Sequence, residues 1–244
     1  MANIVLTNTQ IIVGSFDTTG FAGTVNVSPV EAIVQQATTF GSGGYVVSVG
    51  GLKQAGLEVD GFADYTTATG ITQNLIGPAN LGQQNAATVN PTGGATVGDP
   101  AFFLRGIINK AVPVDGSVGE VGKFQLGMTA DAAMVGGYVG APLAARTTTF
   151  TGAAVTMTGP IAGQKLYAAL FVTGAGTTLV AKVQSAPLSN FASPTDRITF
   201  SSTSATGWQW ATPVAGAITD GFWRVTATIG AGTFTYAVVF GVAA

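Results

Sequence analysis

A strict period of two near one end of the chain is the feature that most narrows its fold. Trp223, Val225, Ala227 and Ile229 interleave with Arg224, Thr226 and Thr228. Successive side chains of a strand point to opposite faces, so this pattern buries one face of an extended segment and wets the other. Gly230-Ala231-Gly232 leads on into Phe234, Tyr236, Val238 and Phe240, and the whole reads as a β-hairpin. The same alternation marks Leu179, Ala181 and Val183, and again Ile198 and Phe200, while Leu166 to Val172 reads as a buried strand. Clusters of Gly, Pro, Ser and Asn part these segments. Residues 146–244 are therefore expected to form a compact antiparallel β-sandwich.

Residues 1–145 are also mainly strand-like, with Leu57, Val59 and Phe62 in one segment and Phe124, Leu126 and Met128 in another. Two local patterns stay open. Ser28-Pro29-Val30-Glu31 has the form of a helix capping box, yet Val25 and Val27 before it alternate as in a strand. In Ala101 to Lys110, Phe103 and Ile107, then Leu104 and Ile108, repeat at i, i+4, which fits one short helix, but the length fits a strand as well. Residues 66–100 contain Gly77-Pro78, Asn90-Pro91, Gly93-Gly94 and Asp99-Pro100 and are expected to be a long loop that either has a function of its own or orders on contact with a partner. A boundary between two domains, 1–145 and 146–244, is expected near Pro142 to Arg146.

Hydrophobic residues make up 47% of the chain and charged residues only 8%, against roughly 25% charged in an average soluble domain. A surface built from Thr, Ser, Gln, Gly and Ala implies one largely covered by other subunits, hence self-assembly. No apolar run approaches the ~20 residues that span a bilayer, so no membrane insertion is expected. Met1-Ala2-Asn3-Ile4-Val5-Leu6 lacks a basic and then a long apolar region, so no signal peptide is expected. Residues 1–145 hold nine acidic and four basic side chains, a balance of −5, whereas 146–244 hold two acidic and five basic, a balance of +3.

The chain has neither cysteine nor histidine. Thiolate chemistry is thereby excluded, and the commonest general base and metal ligands are missing. Gly41-Ser42-Gly43-Gly44 lacks the Lys and Ser/Thr of a phosphate-binding loop and reads as a turn. Asp60 and Asp64 have neither calcium-loop spacing nor a second acidic cluster. No enzyme and no cofactor is expected. Trp208, Trp210 and Trp223 fit core or interface anchors, or a sugar-binding surface. The nine basic residues form no patch with interleaved aromatics, which argues against attraction to nucleic acid.

Three stretches occur in an order that resembles the major tail proteins of long-tailed bacteriophages. They are Asp17-Thr18-Thr19-Gly20-Phe21-Ala22, then Ala37 to Tyr45 with Gly50-Gly51-Leu52-Lys53 following, and Gly116-Ser117-Val118-Gly119-Glu120-Val121-Gly122-Lys123-Phe124. Gln164 to Leu170 and Ser193 to Phe200 resemble the extra C-terminal β-modules of some tail proteins. The resemblance implies a tail-tube-type β-sandwich or barrel followed by a second β-sandwich. It further implies a virion protein, assembled in the host cytoplasm, that stacks as homo-oligomeric rings around a passage for DNA. The rings would hold six subunits, or three if the tube domain is duplicated, and would meet other tail proteins. A capsid decoration or other virion β-protein is the second reading, and a carbohydrate-binding module the third. A conduit must not hold its polyanionic cargo, and the acidic first half makes Glu58, Asp60, Asp64 and Glu120 the candidate lumen acids. Phe40, Gly41, Gly43, Gly44 and Tyr45 are the candidate inter-ring loop.

Overall fold

A computed structural model of the 244-residue chain describes residues 8–36, 48–64 and 70–244. In chain order its strands are β1 (Gln10–Val13), β2 (Phe16–Asp17), β3 (Ala22–Gln36), β4 (Ser48–Phe62), β5 (Gln84–Asn90), β6 (Pro100–Asp115), β7 (Lys123–Ala130), β8 (Val135–Arg146) and β9 (Phe150–Thr151), followed by β10 (Val155–Thr156), β11 (Lys165–Gly174), β12 (Leu179–Ala186), β13 (Thr195–Thr199), β14 (Gly207–Trp210), β15 (Val214–Ala215), β16 (Phe222–Ile229) and β17 (Phe234–Ala243). A helical turn, α1 (Ile71–Asn74), and a 3-10 turn (Pro78–Asn80) separate β4 from β5.

The larger sheet runs β14-β11-β17-β8-β6-β5-β1-β2, with β15 beside β11 and a branch β6-β7-β4-β3. The smaller sheet runs β10-β16-β12-β13, with β9 beside β16. Every pairing is antiparallel. The larger sheet curls into a half-barrel. Phe103 on β6 and Trp210 on β14 lie three intervening strands apart in sheet order, yet their ring centroids are 5.5 Å apart.

Three apolar layers hold these sheets together, and alternation along the strands decides which residue enters which. Inside the curl, Ile12, Phe103, Val135, Val139, Phe171 and Val239 meet one another. On the outer side of β8, β17 and β11, Leu166, Leu170, Val238 and Phe240 face Leu179, Val183, Trp223 and Val225 of the smaller sheet. At the other end, Leu57, Val59, Phe124 and Leu126 of the branch pack with Ile11, Val13, Val89, Leu104 and Leu75. Since β11 and β17 are covered on both faces, their sequences are near-continuous apolar runs rather than alternating ones. Burying that surface is the main drive to fold, at about 25 cal/mol per Å².

Several expectations change. Trp223–Ile229 and Phe234–Phe240 do not pair as a hairpin: β16 belongs to the smaller sheet and β17 to the larger, and Gly230-Ala231-Gly232 arches between them. Their apolar faces meet across the sandwich, so facing layers carry the same alternation that paired arms would. Ala101 to Lys110 lies in strand β6, because Phe103 and Leu104 enter opposite cores and a helix would turn only one stripe inward. Ser28 to Glu31 stays within strand β3, with a register shift at that point. Residues 66–100 are not one long loop. Residues 65–69 lie outside the described residues, and beyond them β5 pairs with β1 on one side and β6 on the other. The change of charge balance at Pro142 to Arg146 falls on the end of β8, which pairs with β6 and with β17.

Candidate assembly surface

The branch β3-β4-β7, completed by the second half of β6, is a four-stranded wing. One face of it is core. Ala55, Leu57, Val59 and Gly61 of β4 are buried, as are Phe124, Leu126 and Met128 of β7. Glu58 and Asp60, lying between them, therefore point out together, as strand alternation requires. Register then sets the rows across this outer face. Asn26, Glu58, Gly127 and Lys110 make one, and Thr24, Asp60, Gln125 and Val112 the next. Phe62, Lys123 and Asp115 make a third.

Of the four sequence-predicted acids, Glu58 and Asp60 share this face, and the Thr24 hydroxyl donates to Asp60 at 3.4 Å. Asp64 follows β4, and its amide donates to Thr72 Oγ1 at 3.0 Å. Glu120 sits in the β6–β7 turn and accepts from the Ser117 amide at 3.3 Å, closing its own turn. The fold thus gathers two of the four. It adds Asp115, Lys110 and Lys123, which sequence reasoning left out because their facing depends on pairing register and on the irregularities of β6 at 108–110 and 112–115. The candidate inter-ring residues Phe40, Gly41, Gly43, Gly44 and Tyr45 lie outside the described residues.

Among the described residues the wing has two open edges, β3 from Ala22 to Ser28 and β6 from Asn109 to Val112. Among the described residues β3 pairs with β4 alone, and its stretch Ala22 to Ser28 carries no charge. β6 pairs with β5 only over Gln84–Val89, and beyond the last bonds there, between Ile108 and Gly82 and Gln83, the stretch Asn109 to Val112 is paired only with β7. Such edges present unpaired N–H and C=O groups to other chains, and no edge lysine protects β3 between Ala22 and Ser28. At one end of the wing stands an apolar tip. Val118 is fully exposed, Val121 is 65% exposed, Val114 62% and Phe62 52%.

The residues that carried the family resemblance have structural work here. Asp17 accepts from the Thr19 amide and hydroxyl, the Thr19 hydroxyl accepts from the Ile11 amide at 3.0 Å, and the Thr18 hydroxyl donates to the Ile11 carbonyl at 3.0 Å. This ties the turn after β2 back to β1. Trp210 packs on Phe103 and Tyr167, and Trp208 lies against the same core, so both help fill the open seam of the curl. Trp223 is fully buried and donates its Nε1–H to the Met157 carbonyl at 2.9 Å. Among the described residues no group of three or more acidic side chains could hold a metal ion, and no helix is long and apolar enough to cross a membrane.

No family model and no curated protein matches the chain. Solved structures similar to it include SPP1 Dit (gp 19.1), a paradigm of the hub adsorption apparatus in Gram-positive infecting phages, at 9% identity over 97% of this chain and 99% of that one, with a TM-score of 0.38. A chain of the native gene transfer agent virion is 14% identical over 51% of this chain and 92% of that one, with a TM-score of 0.35. A chain of infectious bursal disease virus, Gx strain, is 11% identical over 99% of this chain and 53% of that one, with a TM-score of 0.29. At such scores these likenesses carry no argument, and the functional reading rests on the chain's own sheets.

Proposed function

We propose that this protein is a structural, non-catalytic component of a virus particle that assembles with copies of itself through the wing. The observation that carries the reading is the pair of edges on one four-stranded sheet that stay open among the described residues, with a polar outer face between them. Pairing β3 of one copy with the second half of β6 of the next joins wings side by side, and a closed ring removes every such edge. The finer form is the tail tube. In it the polar face lines the bore, residues 1–145 supply the pairing edges, residues 146–244 supply the outer sandwich, and DNA passes through. The resemblance of the ordered segments and the scarcity of charge support it.

A capsid decoration or other virion β-protein is the second reading. It is favoured by β8, which pairs with β6 of the first half and with β17 of the second in one sheet. Electron microscopy of the purified protein tests both. Tubes with a regular axial repeat support the tail tube; discrete small oligomers support the second reading; a monodisperse monomer at high concentration overturns assembly through the wing.

A further inference from the structure

Charges on the outer face of the wing stand in rows that nearly cancel. In the row Asn26, Glu58, Gly127, Lys110, the strand carrying Glu58 and the strand carrying Lys110 flank β7. Gly127 places no side chain between them. A Cβ on that glycine would lie 2.9 Å from the Asn109 Oδ1, 3.0 Å from the Lys110 Cβ and 3.8 Å from its Cδ, so the Asn109 amide and the lysine stem both lie over the glycine. Two strand spacings put the backbones of the two charged residues about 10 Å apart. A stem lying over the middle strand shortens the gap between the two charges, and charges closer than a Debye length, about 8 Å at physiological salt, are only partly screened from each other. Both residues line one groove of about 700 Å³, with Asn26, Ser28, Asn109 and Thr129. Among the described residues no ion pair holds either of them. In the third row Lys123 stands opposite Asp115, so Asp60 is the only charge of the middle row.

Resting on the conduit reading above, we propose that Glu58 masks Lys110 across Gly127, so that this face does not hold a double-stranded nucleic acid passing over it. A lysine presented bare to a duplex gains affinity by releasing condensed counterions, and each copy in a ring would add one such contact. A carboxylate nearby cancels that attraction without adding a strongly acidic surface. The mask is a property of the row, not of the net charge of the first half.

The test compares binding of a short DNA duplex to the parent protein, Glu58→Gln, Asp60→Asn and the double variant Glu58→Gln with Lys110→Gln, as a function of salt. Glu58 and Lys110 are exposed, so these near-isosteric changes leave the cores untouched. Glu58→Gln is expected to bind several-fold tighter at low salt, with the slope of log affinity against log salt steeper by up to about 0.9 per lysine engaged. The double variant is expected to return to the parent level, and Asp60→Asn to bind less tightly than Glu58→Gln. Unchanged binding by Glu58→Gln, or a gain that survives removal of Lys110, overturns the proposal. If the parent forms no tubes, the conduit reading fails, while the binding comparison still decides whether Glu58 masks Lys110.

Discussion

Arg146 lays its guanidinium over the ring of Tyr236, 4.7 Å from the centroid, and over that of Phe150 at 4.3 Å. The pairing of β8 with β17 shifts register here, and the guanidinium donates to the Pro142 carbonyl at 2.8 Å and the Tyr236 carbonyl at 3.2 Å. It thus satisfies backbone acceptors at an irregular point of the sheet. Arg146→Ala is expected to lower the unfolding free energy by about 3 kcal/mol, from the lost stacking and the charge-assisted bonds. Arg146→Lys should recover only part, since a single ammonium nitrogen has no planar face to stack on the rings and cannot replace two donor nitrogens held apart in a fixed fork. The urea midpoints of the three proteins check this.

Gly137 and Gly241 face each other on β8 and β17. A Cβ on Gly137 would lie 2.1 Å from the Phe240 carbonyl oxygen and 2.7 Å from the Gly241 Cα, both backbone atoms that cannot swing aside. Gly137→Ala should therefore destabilise the protein by about 3 kcal/mol, as overpacking does in a rigid core. A thermal midpoint equal to the parent's would show that the two strands separate freely at this point.

Asp220 accepts from the Ser185 hydroxyl at 2.6 Å and from Arg197 at 3.0 Å. The Ser185 bond first, and Arg197 with it, hold the carboxyl below its ordinary value of 3.8. The unfolded chain then binds the proton more readily, so the contribution of Asp220 is complete above pH 3.8 and fades as pH falls through the lower folded value. Compared with Asp220→Asn in urea melts, the parent's advantage should be constant near neutrality and should shrink in strong acid. An advantage independent of pH would mean that Asp220 acts by packing alone.

A fragment ending at residue 145 should fail to give a soluble, cooperative fold. It would uncover one edge of β8 and the faces of Val135, Val139 and Phe103 that meet Tyr167, Phe171, Ala237 and Val239. Gel filtration and circular dichroism are the measurements, and a compact monomer would contradict the dependence of that core on both stretches.

Strand alternation puts Glu58 and Asp60 on one face without saying which way it points, and the apolar runs disclosed Leu166–Val172 as a buried strand, because both signals are local. Lys110 and Lys123 could not be found this way. Their facing follows from a register with shifts at Ile108–Lys110 and Val112–Asp115, which is a matter of pairing across the sheet. β5 went unseen because its buried positions include Ala86, Ala87 and Thr88, whose small side chains give little hydrophobic signal between glycines and prolines. The apparent hairpin at Gly230 misled for the opposite reason: its alternation was real, but alternation does not say whether two strands pair or face.

β17 is the final strand of the chain, yet it sits between β11 and β8, deep within the larger sheet, and lends one face to each of two cores. A chain emerging from the ribosome therefore lacks the central member of its main sheet until every other described strand has been made. Completion of either core waits on contacts distant in sequence, which slows folding. Neither core is complete until this one strand has docked between its two neighbours.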